Sequence, residues 1–270
     1  GMLGIYANWA PNALDGMDAD YANTPGTNES GRFIPVWTMG NSTGEVRVTA
    51  IIGFDWDMIT RLPGFGAEGI LDPAVYLGSD DSNTLIANMS VPIKDKGAVV
   101  GVVGCTVELS TIQGVAEQIK PFGDGAAFVF SSGGIVSAHP DPERLGKNMR
   151  ETETDTFGPF LDTVVTAVSS GTAASFSYRP PQSDTVIQYY TVPFTIGHVP
   201  QPWTLVVGVS HNTVMAPVYR MIRICLIIGI LTMVFMSVGV VFTARSISRP
   251  LTRMMGILKD IAEGDLTRTM

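Results

Sequence analysis

Cysteine is scarce: Cys105 and Cys225 are the only two in 270 residues. Two cysteines exclude a disulfide scaffold and a cysteine-built zinc cluster. Histidine is scarcer than most sites need, with only His139, His198 and His211. Charge is thin as well. Charged residues make up 16% of the chain, against about 25% in ordinary soluble proteins. Positive charge is the rarer sign, with 17 Lys and Arg against 25 Asp and Glu and a net charge of −8. A basic footprint is therefore missing, and no nucleic-acid partner is expected. Nothing in the composition asks for a metal or a cofactor. What is abundant is apolar surface: hydrophobic residues make up 45% of the chain, which implies a packed core and hints at a membrane segment.

That segment is Ile224 to Ala244, ICLIIGILTMVFMSVGVVFTA, 21 residues without a charge and bracketed by Arg223 and Arg245. About 20 apolar residues in a helix cross a hydrocarbon core of about 30 Å. Cys225 falls inside this run, so a bridge to Cys105 is not expected. Residues 1–219 carry ten Lys and Arg against 22 Asp and Glu, while 245–270 carry five against three. Basic flanks favour the cytoplasm. The tail is thus expected inside and the long acidic part outside, with Arg220 and Arg223 snorkelling at the outer interface.

Within the acidic part, several segments read as strands bounded by turn residues. They are Phe33 to Thr38, Glu45 to Ile52, Asn88 to Pro92 and Ala98 to Leu109. The last two are joined by the polar loop Ile93 to Gly97, which reads as a hairpin. Thr111 to Lys120 is a helix candidate. A second set follows: strands at Ala126 to Ser131 and Ile135 to Ala138, helix-like spacing over Phe157 to Val168, and strands at Ala173 to Tyr178, Val186 to Thr195 and Trp203 to Val209. Ser210 to Ile222 reads as a helix leading into the membrane run. After it, Leu251, Met255, Leu258 and Ala262 form a seam on one helix face that needs partners, with Pro250 at its start and Gly264 as a stop.

Some motifs match chemistry by spelling only. Gly64 to Gly69 fits GxGxxG, but Pro73 follows where the dinucleotide motif needs a helix, so it reads as a loop. Gly40 to Gly44 fits GxSxG and raises a membrane-anchored periplasmic hydrolase using Ser42 and a histidine. A nucleophile elbow leads into a helix, whereas Glu45 to Ala50 is strand-like, so the segment reads as a hairpin turn. Asp15, Asp18 and Asp20 lack the spacing of a calcium loop and read as a solvated face or a cap. His139, in Ala138-His139-Pro140-Asp141, reads as a structural histidine at the end of a strand.

The stretch SISRPL, the helical seam and IAEGDL, joined directly to a membrane helix, resemble the first helix of a HAMP signal converter. YANWAPNALDGMDADYANTPGTNESGRFIPVW resembles the membrane-distal part of bacterial chemoreceptors. MSVPIKDKGAVVGVVG resembles the hairpin closing the distal sheet, GDGAAFVFSSGGIVSAHPDPERLGK the opening of the proximal unit, and QPWTLVVGVS its final strand. The chain thus resembles a methyl-accepting chemotaxis protein with a double-Cache sensor, over nearly its whole length. The resemblance implies an α+β fold: tandem PAS-like Cache modules with antiparallel sheets, then one transmembrane helix and the first HAMP helix. Its parts are a distal module at 1–109, a proximal module at 110–215, a juxtamembrane helix at 216–223, the transmembrane helix at 224–244 and an incomplete HAMP at 245–270. Because the family begins with a further membrane helix and a long dimerising helix, the chain is expected to be a fragment, incomplete at both ends.

The implied function is a non-enzymatic one. A transmembrane chemoreceptor in the bacterial inner membrane senses a small periplasmic or extracellular solute and signals through HAMP. The expected partners are a small-molecule ligand, a second copy of the chain, the membrane, and the chemotaxis kinase and its coupling protein through a cytoplasmic domain. The same sensor arrangement also precedes histidine kinases and cyclic-dinucleotide enzymes, which is the alternative output. Six candidates for ligand contact lie in the distal unit. Arg32 offers a planar fork of donors for an anionic group. Trp37 offers an aromatic wall, Asp55 and Trp56 a carboxylate and a second ring, and Tyr76 and Thr106 hydroxyls lining the same pocket. Amino-acid-sensing relatives place an aspartate where Thr106 stands and an aromatic where Ala74 stands. Both departures disfavour amino-acid recognition and favour an anionic, heterocyclic or otherwise uncharged ligand.

Overall fold

The computed structural model describes residues 1–39, 46–51, 55–61, 65–77 and 83–262. The turn expected at Gly40 to Gly44, Ser42 with it, the start of the GxGxxG match at Gly64 and the stop at Gly264 lie outside the described residues.

Among the described residues, the first 108 build one antiparallel sheet of seven strands: β1 (Met2–Trp9), β2 (Pro35–Met39), β3 (Val46–Ala50), β4 (Gly69–Ile70), β5 (Ala74–Leu77), β6 (Asn83–Asp95) and β7 (Ala98–Glu108). The order is β3-β2-β1-β7-β6-β4, with β5 also pairing β6. The β6–β7 hairpin is longer than the sequence reading. Its strands run through Ile93 to Asp95 and turn at Lys96 and Gly97, both at positive φ, the backbone of a tight two-residue turn. The reading of Phe33 to Thr38 as the first strand is corrected: β1 precedes it and lies between β2 and β7. A short helix, α1 (Trp56–Thr60), starts at Asp55, whose side chain accepts the Trp56 N–H at 2.7 Å. Asp18, of the acidic group, is buried and accepts the Asn12 N–H at 2.7 Å, so it closes a loop as a cap would.

Helix α2 (Leu109–Ala116) leaves β7 without a linker. A second antiparallel sheet follows, with β8 (Ala126–Phe130), β9 (Val136–Ala138), β10 (Ala174–Tyr178), β11 (Ile187–Phe194) and β12 (Trp203–Ser210) in the order β10-β11-β12-β8-β9. Between β9 and β10 lie α3 (Met149–Thr152), α4 (Thr154–Phe157) and α5 (Leu161–Ser170). The helix read over Phe157 to Val168 is broken at Gly158, which has φ +52° and ψ −126°. A Cβ there would sit 2.3 Å from the Tyr178 ring, so only glycine fits both the backbone and the contact.

The core of this second sheet is aromatic. Phe157 is fully buried and meets Phe128, Phe130, Phe176 and Tyr189 edge-on at 5.4–6.1 Å between ring centres. Offset and edge contacts of this kind add about 0.5–1.5 kcal/mol per pair to area burial. Burial, with the Glu153 charge adding, pushes the Tyr189 phenol up to about 12. A second apolar cluster joins the sheets: Ala87 of β6, Leu109 and Ala116 of α2, and Val129, Ala138 and Trp203 pack together. Residues 1–213 accordingly form one compact unit.

The described residues after 213 are helical. Helix α6 (His211–Thr243) passes through a π-helical turn at Ala244–Ser248 into α7 (Arg249–Ala262). The wide turn stands just before Pro250, which cannot donate a helical N–H bond. Among the described residues, His211–Gly256 is one helix long and apolar enough to cross a membrane, with a mean hydropathy of 2.7 over its most apolar stretch. From Ala216 onward its side chains are exposed within the chain, as are Leu251, Met255 and Leu258 of the seam on α7. Cys105 and Cys225 are both free.

Candidate functional site

Strand register sorts the first sheet into two chemically different faces. Directly opposed residues of an antiparallel pair project to the same side, and the side alternates along each strand. Tyr6 of β1, Gly104 of β7 and Ser90 of β6 stand in one row. Gly4, Thr106 and Asn88 form the row on one side of it, and Asn8, Val102 and Pro92 the row on the other. Tyr6, Asn8, Asn88, Ser90 and Thr106 therefore share a face.

Tyr6 is the centre of this polar strip. Its ring lies across Gly104, where a Cβ would come 2.6 Å from both Cζ and Oη of Tyr6. Glycine at 104 leaves room for the phenol to approach the Ser90 hydroxyl on the far strand. Burial pushes the phenol up to about 12, the neighbouring Cys105 adds to the rise, and the Ser90 hydroxyl opposes it. Next to this row the Thr106 hydroxyl donates to Asn88 Oδ1 at 2.7 Å.

The other end of the strip is charged. Asn28 Oδ1 accepts the backbone N–H of Arg32 at 2.9 Å, which closes the loop ahead of β2 and directs Arg32 inward. The guanidinium is buried; it donates to Asn8 Oδ1 at 2.9 Å and to Asp55 Oδ1 at 3.2 Å. Asp55 is 79% exposed, so it covers Arg32 from the solvent side. From Thr106 to Asn8 is two rows, about 13 Å along the strands.

The structure thus brings Arg32 and Asp55 together and places Thr106 on their face, with Tyr6 between. It does not bring Trp37 to Thr106. Trp37 is opposite Ile5, which is opposite Cys105, so its ring lies on the other side of the sheet. The expected pocket wall shared by Trp37 and Thr106 is corrected on this ground. Trp56 leads α1 next to Asp55 and packs edge-on against Phe65 at 5.9 Å. Tyr76 shares the face of Thr106 but pairs with Thr84 at the sheet margin, four residues along β6 from Asn88, and is exposed. Sequence reasoning missed Tyr6, Asn8, Asn88 and Ser90. The polar positions Asn88 and Ser90, two apart in a strand, were a usable signal. Tyr6 and Asn8 needed β1 to be seen as a strand.

The opposite face is apolar. Ile5, Ile70, Met89, Val103 and Cys105, with Ile196 from the β11–β12 loop, line a cavity of about 380 Å³. At its rim the Glu68 carboxylate accepts the His198 N–H at 2.8 Å. That backbone bond, against opposing burial, holds Glu68 below the usual carboxylate range. Among the described residues no group of His, Cys, Asp and Glu has the arrangement of a metal site.

Comparison with known proteins adds a family. A family model described as a Cache domain, dCache_1, matches residues 23–218. The chain is 24% identical to the methyl-accepting chemotaxis protein TlpQ of Pseudomonas aeruginosa, over all of this chain and 40% of that protein. It is 25% identical to the methyl-accepting chemotaxis protein PscA of Pseudomonas syringae pv. tomato, over 76% of this chain and 30% of that one. The chain therefore spans well under half the length of these curated relatives. Among solved structures, the extracellular domain of mmHK1S-Z3, assigned as a histidine kinase, superposes with a TM-score of 0.67 at 24% identity, over 81% of this chain and 76% of that domain. At that identity the likeness shows the fold.

Proposed function

Because the chain belongs to the Cache-domain family, we propose that it is the sensor portion of a transmembrane chemoreceptor. Its two sheets are the tandem PAS-like modules of that family. Residues 1–109 take up a small solute, 110–215 relay its binding, and 224–244 carry the change across the membrane. The observation that carries this reading is the polar strip from Arg32 and Asn8 through Tyr6 to Thr106, set on the sheet whose last strand runs straight into α2. The acidic part lies outside the cell and the basic tail inside.

In this reading α7 and the residues after it begin HAMP, which pairs with a second copy of the chain. A cytoplasmic domain beyond residue 270 contacts the chemotaxis kinase and its coupling protein. Movement of the helix by about 1–2 Å suffices to transmit the signal. A ligand acts only by binding two states with different affinity, so no bond is made or broken here. Asp55 is the carboxylate of the strip and is committed to Arg32. Recognition therefore runs through neutral donors and acceptors and the guanidinium, which suits an anionic, heterocyclic or otherwise uncharged solute.

A second reading keeps the sensor and changes the output to a histidine kinase. It is favoured by the fold shared with the mmHK1S-Z3 extracellular domain. The test of the sensor itself is calorimetric titration of the full chain in lipid nanodiscs with a metabolite panel. At least one small solute binds, and Arg32→Met and Thr106→Val each weaken it tenfold or more. A folded chain that binds no solute, or binds one with both variants unaffected, contradicts the reading.

A further inference from the structure

The second module contains a buried group of charges that ligand binding does not use. Glu153, between α3 and α4, is fully buried. Its Oε2 lies 3.4 Å from Nε2 of His139 and 3.3 Å from the Arg144 guanidinium, and Thr152 Oγ1 donates to its Oε1 at 3.0 Å. Arg144 in turn forks onto Asp155 at 2.9 and 2.8 Å and reaches Asp141 at 3.3 Å. Burial works to raise Glu153. The nearby His139 ring, the Thr156 hydroxyl and the Arg144 charge outweigh it and hold the carboxyl below its usual range. Glu153 and Asp141 face the His139 ring, Arg144 joins both and bonds Asp155, the Phe128 ring centre lies at 5.1 Å, and Gln113 of α2 bonds Glu117 just past the helix end.

Gln113 ties α2, the helix that continues β7 of the first sheet, to the residue that follows β9 of the second. Its Nε2 donates to the His139 carbonyl at 2.8 Å, and its Oε1 accepts the His139 N–H at 2.9 Å. Helix α2 therefore grips the His139 peptide from both sides. The imidazole is equally constrained. The Asp141 N–H donates to Nδ1 at 2.8 Å, so the neutral ring keeps its proton on Nε2, facing Glu153. A proton taken from solvent gives Nδ1 an N–H of its own. Two donors then face each other across that distance, and the turn has to shift. The Asp141 carbonyl, 3.1 Å from Nδ1, is the acceptor at hand. Histidine is the side chain whose charge ordinarily changes between about pH 5 and 8.

We propose that His139 is a proton-operated latch on the joint between the modules. Protonation exchanges the Asp141 N–H bond for one to the Asp141 carbonyl, draws Nε2 toward Glu153, and displaces the peptide that Gln113 holds, which loosens α2. The latch needs no solute. Where the sensor reading also holds, solute and proton act on one helix, since Thr106 precedes Gln113 by seven residues. Each then changes the affinity of the other by the same factor.

The test uses the full chain in nanodiscs with 13Cε1-labelled histidine, His198 and His211 being assigned by His198→Asn and His211→Asn. Imidazole shifts and amide exchange of residues 109–116 and Asp141, corrected for intrinsic rates, are followed from pH 5 to 8. His139 titrates as one proton, and protection of α2 and of the Asp141 amide falls at least threefold with the same midpoint. His139→Asn keeps an acceptor for the Asp141 N–H but takes no proton, and its exchange stays flat. Glu153→Gln lowers the midpoint. The latch is overturned if His139 holds one protonation state throughout, if it titrates while α2 is unchanged, if the response persists in His139→Asn, or if Glu153→Gln leaves the midpoint in place. Should His139→Asn fail to fold, coincidence or separation of the two wild-type midpoints decides.

Discussion

Gly104→Ala attacks the polar strip at its tightest point. The added Cβ would lie 2.2 Å from the Met89 carbonyl oxygen and 2.6 Å from Cζ and Oη of Tyr6. Distances that short are relieved only by movement. The ring has to leave its seat, and β6 has to draw back from β7. Taking the phenol from its polar neighbours on β6 costs about 1 kcal/mol. Forcing an extra methyl into a packed site costs about 1–3 kcal/mol. The variant is thus expected to lose about 2–4 kcal/mol, which for a unit of this size lowers Tm by about 5–12 °C. The assay is thermal unfolding of the full chain in nanodiscs, in wild-type and Tyr6→Ala backgrounds. With the ring already gone, the two Tyr6 contacts vanish and the Met89 carbonyl contact stays. The two changes should then couple by about 1–2 kcal/mol. A Gly104→Ala cost under about 0.5 kcal/mol, or an equal cost in both backgrounds, refutes the seating of Tyr6 over Gly104.

Three further outcomes follow from the fold. Phe157→Ala, which empties the centre of the second core, should cost about 3–5 kcal/mol in urea denaturation; a cost under about 1 kcal/mol contradicts that packing. Arg144 holds Asp155, and the Glu143 N–H holds Asp141, below their usual ranges. The unfolded chain binds those protons more tightly, so their stabilisation is complete above about pH 4 and is lost as pH falls through the lower folded values. A urea midpoint unchanged between pH 5 and 3 contradicts this. Single cysteines at Asp20 and Lys259, in a background lacking Cys105 and Cys225, should differ in whole cells: an impermeant thiol reagent labels the first only, and equal labelling contradicts a single crossing.

How much was legible depended on the range of each signal. The long apolar helix is a local property of 21 uncharged residues, and they stand within one continuous helix. The hairpin of β6 and β7 and the strands β8 to β12 alternate or run apolar over their own length, and they stand within a few residues of where the sequence puts them. Strand β1 did not announce itself, because Gly4 and Asn8 interrupt its apolar pattern for reasons of the sheet: one faces Thr38 and the other meets Arg32. The helix over Phe157 to Val168 was broken by a contact between Gly158 and Tyr178 that no local pattern records. Trp37 shows the limit at the site. A tryptophan five residues from Arg32 looks like a neighbour in sequence, yet Trp37 lies in β2 opposite Ile5 while Arg32 precedes that strand and turns in to Asn8. Sheet register is set by pairing partners, and those lie a hundred residues away.

The most direct test is a structure of the full chain with a solute that calorimetry has shown to bind. The solute's density should lie on the polar face, within hydrogen-bonding reach of Arg32 or Asn8 and of Thr106 or Tyr6. Density instead in the apolar cavity beside Ile5, Met89 and Cys105, with the polar strip unchanged, would contradict the account.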